Sequence, residues 1–334
     1  MQPITLAGSG ESFGCDPHDT ILRAGLRAGL SMPYSCNTGS CGTCRFELVE
    51  GDVEHLRADP PAWSERDRRR GRWLGCQARP LQPCSIRVRL DPTFEVRHRP
   101  ARTTGRLREV IALTHDMSEF AFEVSGPDGF LAGQYALIAP AGVAAPRGYS
   151  MCNLPGSGEW RFLIKRVPGG SATSALFDAT RTGEEVAIDG PYGTAYLREE
   201  VERDVLLIAG GSGLSPMVSI ARAAAASPAL RTRDIRFLYG CRTPRDVCGE
   251  AEIGELAGSG ARISYLAAVS EPAAGDGWDG ETGFIHEVAR ARFGERLKAF
   301  EIYFAGPPAM AAALQLSLHE AGVEPAHVHF DEFY

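Results

Sequence analysis

The sequence contains no apolar run long enough to cross a membrane and no leader for secretion. The best candidate, residues 135–145, covers 11 residues and is interrupted by Pro140, whereas a membrane-spanning helix needs about 18 or more. The N-terminal residues MQPITLAGSG lack both the basic region and the apolar region of a signal peptide. We therefore expect a cytoplasmic protein without a membrane span.

An excess of positive charge is also missing, which counts against a nucleic-acid-binding protein. The net charge is −7, and residues 201–334 alone carry eighteen acids against twelve bases. Because sequence-independent binding of nucleic acids depends on neutralising phosphates, we expect no nucleic-acid partner. The one basic run, RDRRRGR at 66–72, is either a solvated helix or turn face or a docking surface for an acidic partner. Four acidic residues are further docking candidates or plain surface: Asp16, Asp19, Glu47 and Glu50.

The composition that remains is that of a globular chain with several domains. Hydrophobic residues make up 44% and charged residues 23% of 334 residues. At this length a single hydrophobic core stops growing, so two or three domains are expected. Nine cysteines in a chain without a leader favour a metal or redox site over a disulfide framework.

Four of the nine cysteines have the spacing of a plant-type [2Fe–2S] site. They follow the pattern C-x4-C-x2-C with a distant fourth member: Cys36, Cys41, Cys44 and Cys76. A thiolate-bound cluster stays anionic, so the loop must turn backbone N–H groups inward. Gly39 and Gly42 permit the positive φ angles that such a wrap requires. The alternative is a zinc ribbon, which normally offers two C-x2-C pairs, whereas this chain has one.

Three segments with different patterns follow one another along the chain. Residues 1–95 hold the cysteine-rich loop, a helical pattern at 21–30 and strand-like runs at 44–49 and 85–90. A linker rich in arginine and proline is predicted at 91–102.

The second and third segments differ in their periodicity. Residues 100–200 are rich in short strands separated by glycine and proline, which is typical of a small antiparallel barrel or sandwich. In residues 201–334 strands alternate with helical stretches, beginning with the apolar run 205–209. This alternation predicts a parallel α/β sheet. The sequence therefore predicts three domains, at 1–95, 100–200 and 201–334.

The middle segment carries two groups of residues suited to a flavin nucleotide. In the first, Arg147 can neutralise a phosphate, Tyr149 can cover an aromatic ring, and Ser150 can hydrogen-bond a ring nitrogen. Four residues of the form R-x-Y-S are common by chance, so this group alone is a weak signal.

The second group is a glycine-rich turn that opens a helix. It begins at Lys165, one of two lysines in the chain, and includes Gly170 and Thr173. Such turns present free N–H groups to a pyrophosphate. The alternative is a plain turn followed by a helix N-cap.

The third segment carries two glycine turns at positions where an α/β sheet binds nucleotides. The first includes Gly211, Gly213 and Pro216, and the second begins at Gly306. The first turn departs from the G-x-G-x-x-G pattern and is a weak signal by itself, and the second could instead be an ordinary helix start. The choice between NADH and NADPH stays open, because three residues after a predicted strand could meet a ribose hydroxyl or a 2′-phosphate: Arg242, Arg245 and Asp246.

Taken together, these motifs resemble the flavin reductase components of bacterial multicomponent oxygenases, including toluene monooxygenase and naphthalene dioxygenase reductases. The matching motifs are YSCNTGSCGTC, RGYS, VPGG, GPYGTAYL, GGSGLSP, GPPAM and the terminal HFDEFY. They occur in the family's order and span almost the whole chain. The resemblance implies a β-grasp ferredoxin domain, an antiparallel Greek-key FAD barrel and a Rossmann-like NAD domain.

The resemblance also implies roles for single residues. The cluster would be ligated by Cys36, Cys41, Cys44 and Cys76. FAD would be held by Arg147, Tyr149, Ser150, Lys165, Gly170 and Thr173. NADH would be received by Gly211, Gly213, Pro216 and Gly306. Phe333 and Tyr334 resemble terminal aromatic residues that lie near the flavin. Ala305 replaces a cysteine found in many relatives, so we expect hydride transfer to survive with an altered cofactor position or rate.

Electron counting explains why the three cofactors occur together. NADH delivers two electrons as hydride, a [2Fe–2S] centre accepts one at a time, and a flavin converts between the two. We expect hydride transfer to FAD, then single-electron transfer through the cluster to an oxygenase component, diiron or Rieske, or to its small ferredoxin. No side chain is expected to act as a catalytic acid or base.

Two alternative functions stay open on the sequence alone. The chain could be a non-catalytic iron–sulfur electron carrier or redox sensor, or the same reductase chemistry could serve an acceptor outside the oxygenases. The terminus and residues 56–74 look closer to the reductases of diiron monooxygenases, which favours that partner.

Overall fold

The computed structural model describes residues 1–333 and divides into two compact units. The first unit contains Met1–Arg102 and Asp189–Thr194, and the second contains Thr103–Ile188 and the chain from Ala195 onward. Tyr334, predicted to lie near a flavin, falls outside the described residues. In the described part of the chain, no helix is both long enough and apolar enough to cross a bilayer.

The first unit contains a five-stranded mixed sheet. Its elements are β1 (Gln2–Leu6), β2 (Ser12–Cys15), α1 (Ile21–Ala28), β3 (Arg45–Glu50), β4 (Val53–His55), α2 (Glu65–Arg69), β5 (Arg72–Leu74), β6 (Ala78–Pro80) and β7 (Cys84–Arg87). The sheet has the order β2-β1-β7-β3-β5, and β4 pairs with β6 separately. β1 and β7 run parallel, whereas the neighbouring pairs are antiparallel.

The helix predicted at 21–30 is α1, and its two ends have clear causes. The Thr20 side chain accepts a hydrogen bond from the backbone N–H of Arg23 and caps the helix N-terminus. Gly29 ends the helix with a φ of 91°, a left-handed conformation that favours glycine. The helix therefore stops two residues before the predicted end.

Most of a six-stranded antiparallel barrel lies in the second unit. Its elements are β8 (Ala101–Ala112), β9 (Met117–Val124), β10 (Tyr135–Ala139), β11 (Arg147–Ser150), β12 (Glu159–Lys165), α3 (Ser171–Ser174) and β13 (Glu185–Tyr192). The strand order is β11-β10-β13-β8-β9-β12, and a bridge between Met151 and Phe162 joins the two edges of the sheet. The predicted small barrel is confirmed, with a core of aromatic rings that includes Phe120, Phe122 and Trp160.

The predicted linker at 91–102 is wrong at its C-terminal end. β8 already begins at Ala101, and Pro92–Phe94 form a short 3-10 turn inside the supposed linker. The cause is the weak burial of β8, in which only Gly105 and Leu107 are buried. A strand that faces solvent along most of its length carries little of the apolar alternation that sequence patterns detect.

The rest of the second unit is a parallel sheet flanked by helices, as the sequence predicts. Its elements are β14 (Asp204–Gly210), α4 (Leu214–Ala226), β15 (Ile235–Cys241), α5 (Glu250–Gly258), β16 (Ile263–Val269), β17 (Glu281–Thr282), α6 (Ile285–Phe293), β18 (Phe300–Gly306), α7 (Pro308–Glu320) and β19 (Val328–Glu332). All neighbours in the order β17-β16-β15-β14-β18-β19 run parallel. The order reverses between β14 and β18, and ligands of open α/β sheets bind at such a switch point.

The terminal strand β19, which the sequence patterns did not predict, carries a buried acid. Asp331 lies opposite Ala305 of β18 and is 8% exposed. Its Oδ2 atom has no hydrogen-bond partner within residues 1–333. Burial raises the pKa of the Asp331 carboxyl to about 7.

Asp331 should make the protein less stable as the pH rises towards neutrality. The folded chain keeps the proton of Asp331 up to about pH 7, whereas the unfolded chain releases it near the ordinary value of 3.8. The free energy of unfolding therefore falls between these values, by at most about 1.4 kcal/mol per pH unit. Asp331→Asn removes this titration, so the Tm of the variant relative to wild type should increase from about pH 5 to about pH 7. Parallel Tm profiles of the two proteins would contradict the expectation.

Candidate functional site

The four predicted cluster ligands lie together in the first unit. Cys36, Cys41 and Cys44 belong to the loop between α1 and β3, and Cys76 lies between β5 and β6. The thiols are within hydrogen-bonding distance in two pairs, Cys36 with Cys41 and Cys44 with Cys76. Four converging sulfurs from C-x4-C-x2-C and a distant cysteine match the donor set of a [2Fe–2S] cluster.

The loop turns its backbone N–H groups towards the sulfurs. The N–H groups of Thr38, Ser40 and Cys41 donate to Cys36 Sγ at 3.5, 3.3 and 3.3 Å, and that of Thr43 donates to Cys41 Sγ at 3.5 Å. The hydrogen bond from the Cys41 thiol, together with these N–H groups, lowers the pKa of Cys36 to about 5. The loop therefore stabilises negative charge on sulfur, as an anionic cluster requires.

Positive φ angles in the loop are confirmed at both predicted glycines. Gly39 has a φ of 87° and Gly42 a φ of 80°, and Asn37 adds a third left-handed residue at 54°. A Cβ at Gly39 would lie 3.0 Å from the Gln77 side chain and 3.1 Å from that of Pro60. Close packing and backbone conformation both require glycine there.

A buried arginine supports the cluster loop, and the sequence analysis missed it. Arg23 of α1 is 8% exposed. Its guanidinium donates to the side-chain oxygen and to the carbonyl of Asn37, both at 3.2 Å, and its charge acts on the Cys76 thiol. The available signal was an arginine on the otherwise apolar face of α1 that begins with Ile21 and Leu22.

In the second unit, the predicted flavin motif RGYS forms strand β11. Arg147 is exposed, and its guanidinium donates only to the nearby carbonyls of Ala145 and Pro146 within the described chain. Tyr149 packs against the barrel core, and burial raises the pKa of its phenol to about 12. Ser150 is buried, and its hydroxyl has no hydrogen bond to any residue from 1 to 333. The strand thus offers a free cation, a ring and a free hydroxyl.

The glycine turn before α3 is held rigid by Thr173. The Thr173 hydroxyl accepts from the N–H of Val167 at 3.2 Å and donates to the carbonyl of Gly170 at 3.2 Å. A Cβ at Gly170 would lie 2.9 Å from that hydroxyl oxygen. Gly170 precedes α3 and gives the first N–H groups of the helix no side-chain cap. Such a cradle fits a pyrophosphate.

Lys165 lies between the barrel and the loop after β15. Its ammonium group is 3.2 Å from Asp116 and 3.6 Å from Asp246. The Asp246 carboxylate also accepts from the N–H and hydroxyl of Thr243, at 3.1 and 2.6 Å. Asp246, one of the three residues predicted to meet the ribose or 2′-phosphate of the nucleotide, is therefore already paired with Lys165 and Thr243. The other two, Arg242 and Arg245, are exposed and make no ion pair within residues 1–333.

The two predicted nucleotide turns follow β14 and β18 at the switch point of the sheet. A Cβ at Gly213 would collide with the carbonyl oxygen of Ala305. The first turn can therefore lie this close to the end of β18 only with glycine at position 213. Pro216 is buried in the first turn of α4. Phe333 donates its N–H to the Gly306 carbonyl at 3.0 Å, which brings the terminal ring to the second turn.

Helix α4 is hydrogen-bonded to the barrel along one stripe. Ser215 donates to the carbonyl of Ser150 at 2.6 Å and accepts from the N–H of Leu163 at 3.0 Å. One and two turns later, two further side chains of this stripe reach the barrel. These bonds are Ser219 to the Asn153 carbonyl and Arg222 to the Cys152 carbonyl, both 2.8 Å. The sequence analysis missed this stripe, although polar residues spaced by four and three in an alanine-rich helix were its signal.

Family models match the three segments in order. The model described as a 2Fe-2S iron-sulfur cluster binding domain covers residues 4–81. The oxidoreductase FAD-binding domain model covers 104–196, and the oxidoreductase NAD-binding domain model covers 207–315.

Relatives match over nearly the whole chain. The ferredoxin–NAD(P)(+) reductase CarAd of Metapseudomonas resinovorans is 37% identical over 96% of both chains. The chain belongs to the reductase components of multicomponent oxygenases. The ferredoxin–NAD(+) reductase component of the alkene monooxygenase system of Xanthobacter autotrophicus is also 37% identical, over 97% of this chain and 98% of the relative. The solved ferredoxin reductase of carbazole 1,9a-dioxygenase superposes with a TM-score of 0.92 at 33% identity, covering 100% of this chain and 98% of that one.

Membership in this family decides between the functions left open by the sequence. The chain is an oxidoreductase of the [2Fe–2S], FAD and NAD type, with the predicted ferredoxin, barrel and nucleotide-binding folds. The alternative of a non-catalytic carrier or sensor is not retained, because the relatives are reductases with all three domains.

Arg23 should raise the reduction potential of the cluster. A buried positive charge stabilises the more negative, reduced cluster. Arg23→Gln should therefore shift the potential negative, on the order of 60 mV, which is a tenfold change in a one-electron equilibrium. Arg23→Lys, which keeps the charge, should shift it less. A redox titration followed by electron paramagnetic resonance measures the shift, and equal potentials in wild type and Arg23→Gln would refute the role.

Ser215 should affect both stability and hydride transfer. Ser215→Ala leaves the Leu163 N–H and the Ser150 carbonyl without their partner and should cost about 1–3 kcal/mol of unfolding free energy. Because it also loosens β11 against the nucleotide turn, flavin reduction by NADH should slow. Ser219→Ala is the matched control: it removes a similar bond one turn away and should lower the Tm without slowing flavin reduction. Stopped-flow absorbance separates the two, and equal rates in both variants would count against the positioning role.

Proposed function

We propose that this reductase oxidises NADH and passes single electrons to the small ferredoxin of an oxygenase system. Two similar relatives are named as ferredoxin reductases, one of them in an alkene monooxygenase system. A similar solved structure is named as the ferredoxin reductase in carbazole 1,9a-dioxygenase. The names support a ferredoxin as the direct acceptor, ahead of a diiron or Rieske oxygenase component itself.

The observation that carries the proposal is the direct hydrogen bond between the flavin strand and the nucleotide helix. Ser215 follows the turn Gly211–Gly213, and its hydroxyl donates to the backbone carbonyl of Ser150 at 2.6 Å. Hydride transfer requires the two rings in contact, and effective positioning contributes several kcal/mol to such a step. When bound, the nicotinamide would supply two electrons as hydride, the flavin would pass them on one at a time, and the cluster would carry single electrons.

The protein's own residues bind and orient the cofactors in this proposal. Arg147 and the N–H groups after Gly170 would hold the FAD phosphates, while Tyr149 and Ser150 would contact its ring system. Thr173 would keep the turn in shape, and Lys165 would bring a positive charge to the same cleft. The nucleotide donor would lie against Gly211, Gly213 and Gly306, with Pro216 shaping the first turn of α4 and Phe333 covering the flavin. The four cysteines, Cys36, Cys41, Cys44 and Cys76, would ligate the cluster.

Three further assignments belong to the same proposal. NADH is the proposed donor, and kcat/KM for NADH against NADPH tests it, with Arg242 and Arg245 as the residues that would accept a 2′-phosphate. The proposed domains are 1–95, 100–200 and 201–334. A cytoplasmic location is supported by the nine cysteines, none of which forms a disulfide within residues 1–333, as fits a reducing compartment.

An anaerobic NADH titration tests the proposed function. In wild type, both the flavin band and the iron–sulfur charge-transfer band should bleach, with the cluster accepting one electron per molecule. In Cys76→Ser the flavin should still be reduced, while the iron–sulfur band and ferredoxin reduction are lost, because the cluster lacks one ligand. An iron–sulfur band that does not respond to NADH or NADPH in wild type, or a fully active cluster in Cys76→Ser, would refute the proposal.

A further inference from the structure

The basic run at 66–72 forms a surface of unneutralised arginines. Arg66, Arg69 and Arg70 are exposed, and none of them makes an ion pair within residues 1–333. Arg70 directly follows the last residue of α2, and side chains three and four residues apart lie on one face of a helix. Three guanidinium groups without an ion pair within residues 1–333 therefore follow one another on this segment, in a chain whose net charge is −7.

The acidic residues of α2 do not cancel this charge, because both are engaged. Asp67 is buried, accepts from the Ser64 hydroxyl at 2.6 Å and pairs with Arg45 at 3.1 Å. Glu65 pairs with Arg68 at 3.1 Å. The outer face of the segment is left with a net positive charge.

Two tryptophans lie beside these arginines. The rings of Trp63 and Trp73 stack with centroids 5.0 Å apart and planes at 29°, and the Arg68 guanidinium lies 4.5 Å above the Trp63 ring. Both tryptophans are half-buried. Trp and Arg are the residues most enriched at the centres of protein interfaces. The arginine patch is defined as Trp63, Arg66, Arg68, Arg69, Arg70 and Trp73.

The segment that carries the arginine patch is linked to the cluster loop through Ala62 and Arg45. The N–H of Ala62 donates to the Gly39 carbonyl at 3.1 Å. The Arg45 guanidinium donates to the carbonyls of Gly42 and Ala62, both at 2.7 Å. Gly39 and Gly42 lie between the cysteines that hold the cluster. Because electron transfer slows steeply with distance, an acceptor must dock close to this loop, and the arginine patch is adjacent to it.

We propose that the arginine patch is the docking surface for the electron acceptor, and that this acceptor is a protein with carboxylates around its redox centre. The inference rests on the proposed function and adds the chemistry of the partner. Complementary charges raise the association rate and orient the two proteins more than they increase the affinity. This suits a complex that must form and dissociate for each electron transferred. The small contact areas of electron-transfer complexes make a few charges decisive.

Charge reversal with two haem proteins as probes tests the docking surface. Cytochrome b5 has carboxylates around its haem edge, whereas cytochrome c has lysines. The variant Arg66→Glu/Arg69→Glu/Arg70→Glu leaves the pairs of Asp67 and Arg68 intact. At low ionic strength it should reduce cytochrome b5 about tenfold more slowly and cytochrome c faster than wild type. Both differences should shrink as salt is added, because exposed charges are screened.

Two control variants isolate the position of the charge. Lysine at the same three positions keeps the charge and should reduce cytochrome b5 within about twofold of wild type. The variant Arg181→Glu/Arg231→Glu/Arg296→Glu changes the net charge equally, at exposed arginines of the second unit that have no ion pair within residues 1–333. It should also stay within about twofold, because none of these arginines belongs to the segment that is hydrogen-bonded to the cluster loop. Iron–sulfur absorbance in each variant reports whether the first unit is folded.

The outcomes separate failure of the docking surface from failure of the proposed function. Equal cytochrome b5 rates in the patch variant and the second-unit variant would overturn the docking proposal, as would a parallel response of the two cytochromes. Patch-dependent retention on duplex DNA with an unchanged cytochrome b5 rate would overturn it in favour of a nucleic-acid surface. If NADH without an acceptor fails to bleach the flavin and cluster bands of wild type, the proposed function fails instead.

Discussion

The hydrogen bond between Ser215 and the Ser150 carbonyl is the contact on which the nucleotide site depends. It joins the strand that presents the flavin motif to the helix that begins at the first nucleotide turn. Ser219 and Arg222 extend the same attachment along α4. Since each bond satisfies a buried carbonyl, breaking one leaves a polar group without a partner. The barrel and the parallel sheet are thus joined at the point where the proposed flavin strand meets the first nucleotide turn.

The first unit is organised by a different constraint, the need to hold negative charge in a buried loop. Three features stabilise this charge: backbone N–H groups that donate to the Cys36 sulfur, left-handed backbone at Asn37, Gly39 and Gly42, and the buried guanidinium of Arg23. The outer side of the same loop is bonded to the segment that carries the arginine patch. One unit therefore provides a site that stabilises an anionic cluster and, next to it, the proposed docking surface.

Much of this architecture could be predicted from the sequence, and the exceptions have physical causes. Strongly apolar strands such as β10 and β14 and the capped helix α1 were recognised because burial and capping leave local patterns. β8 was missed because it is mostly exposed, and the terminal strand β19 was not recognised although it supplies Asp331 and leads to Phe333. Lys165 was assigned from the rarity of lysine, but its neighbours Asp116 and Asp246 come from distant parts of the chain.

The sequence by itself determined the [2Fe–2S] site, since cysteine spacing encodes ligand number within a few residues, and the resemblance carried by its motifs implied FAD and a nicotinamide nucleotide. It also determined the order of the three segments. Only the tertiary structure decided which side chains orient those cofactors, because Arg23, Ser215 and Arg222 act on partners 14, 65 and 70 residues away. The same holds for the basic run. Its charge is visible in the sequence, but how much of that charge is neutralised depends on which arginines Asp67 and Glu65 pair with in the fold. Long-range packing sets those directions, and no local pattern records them.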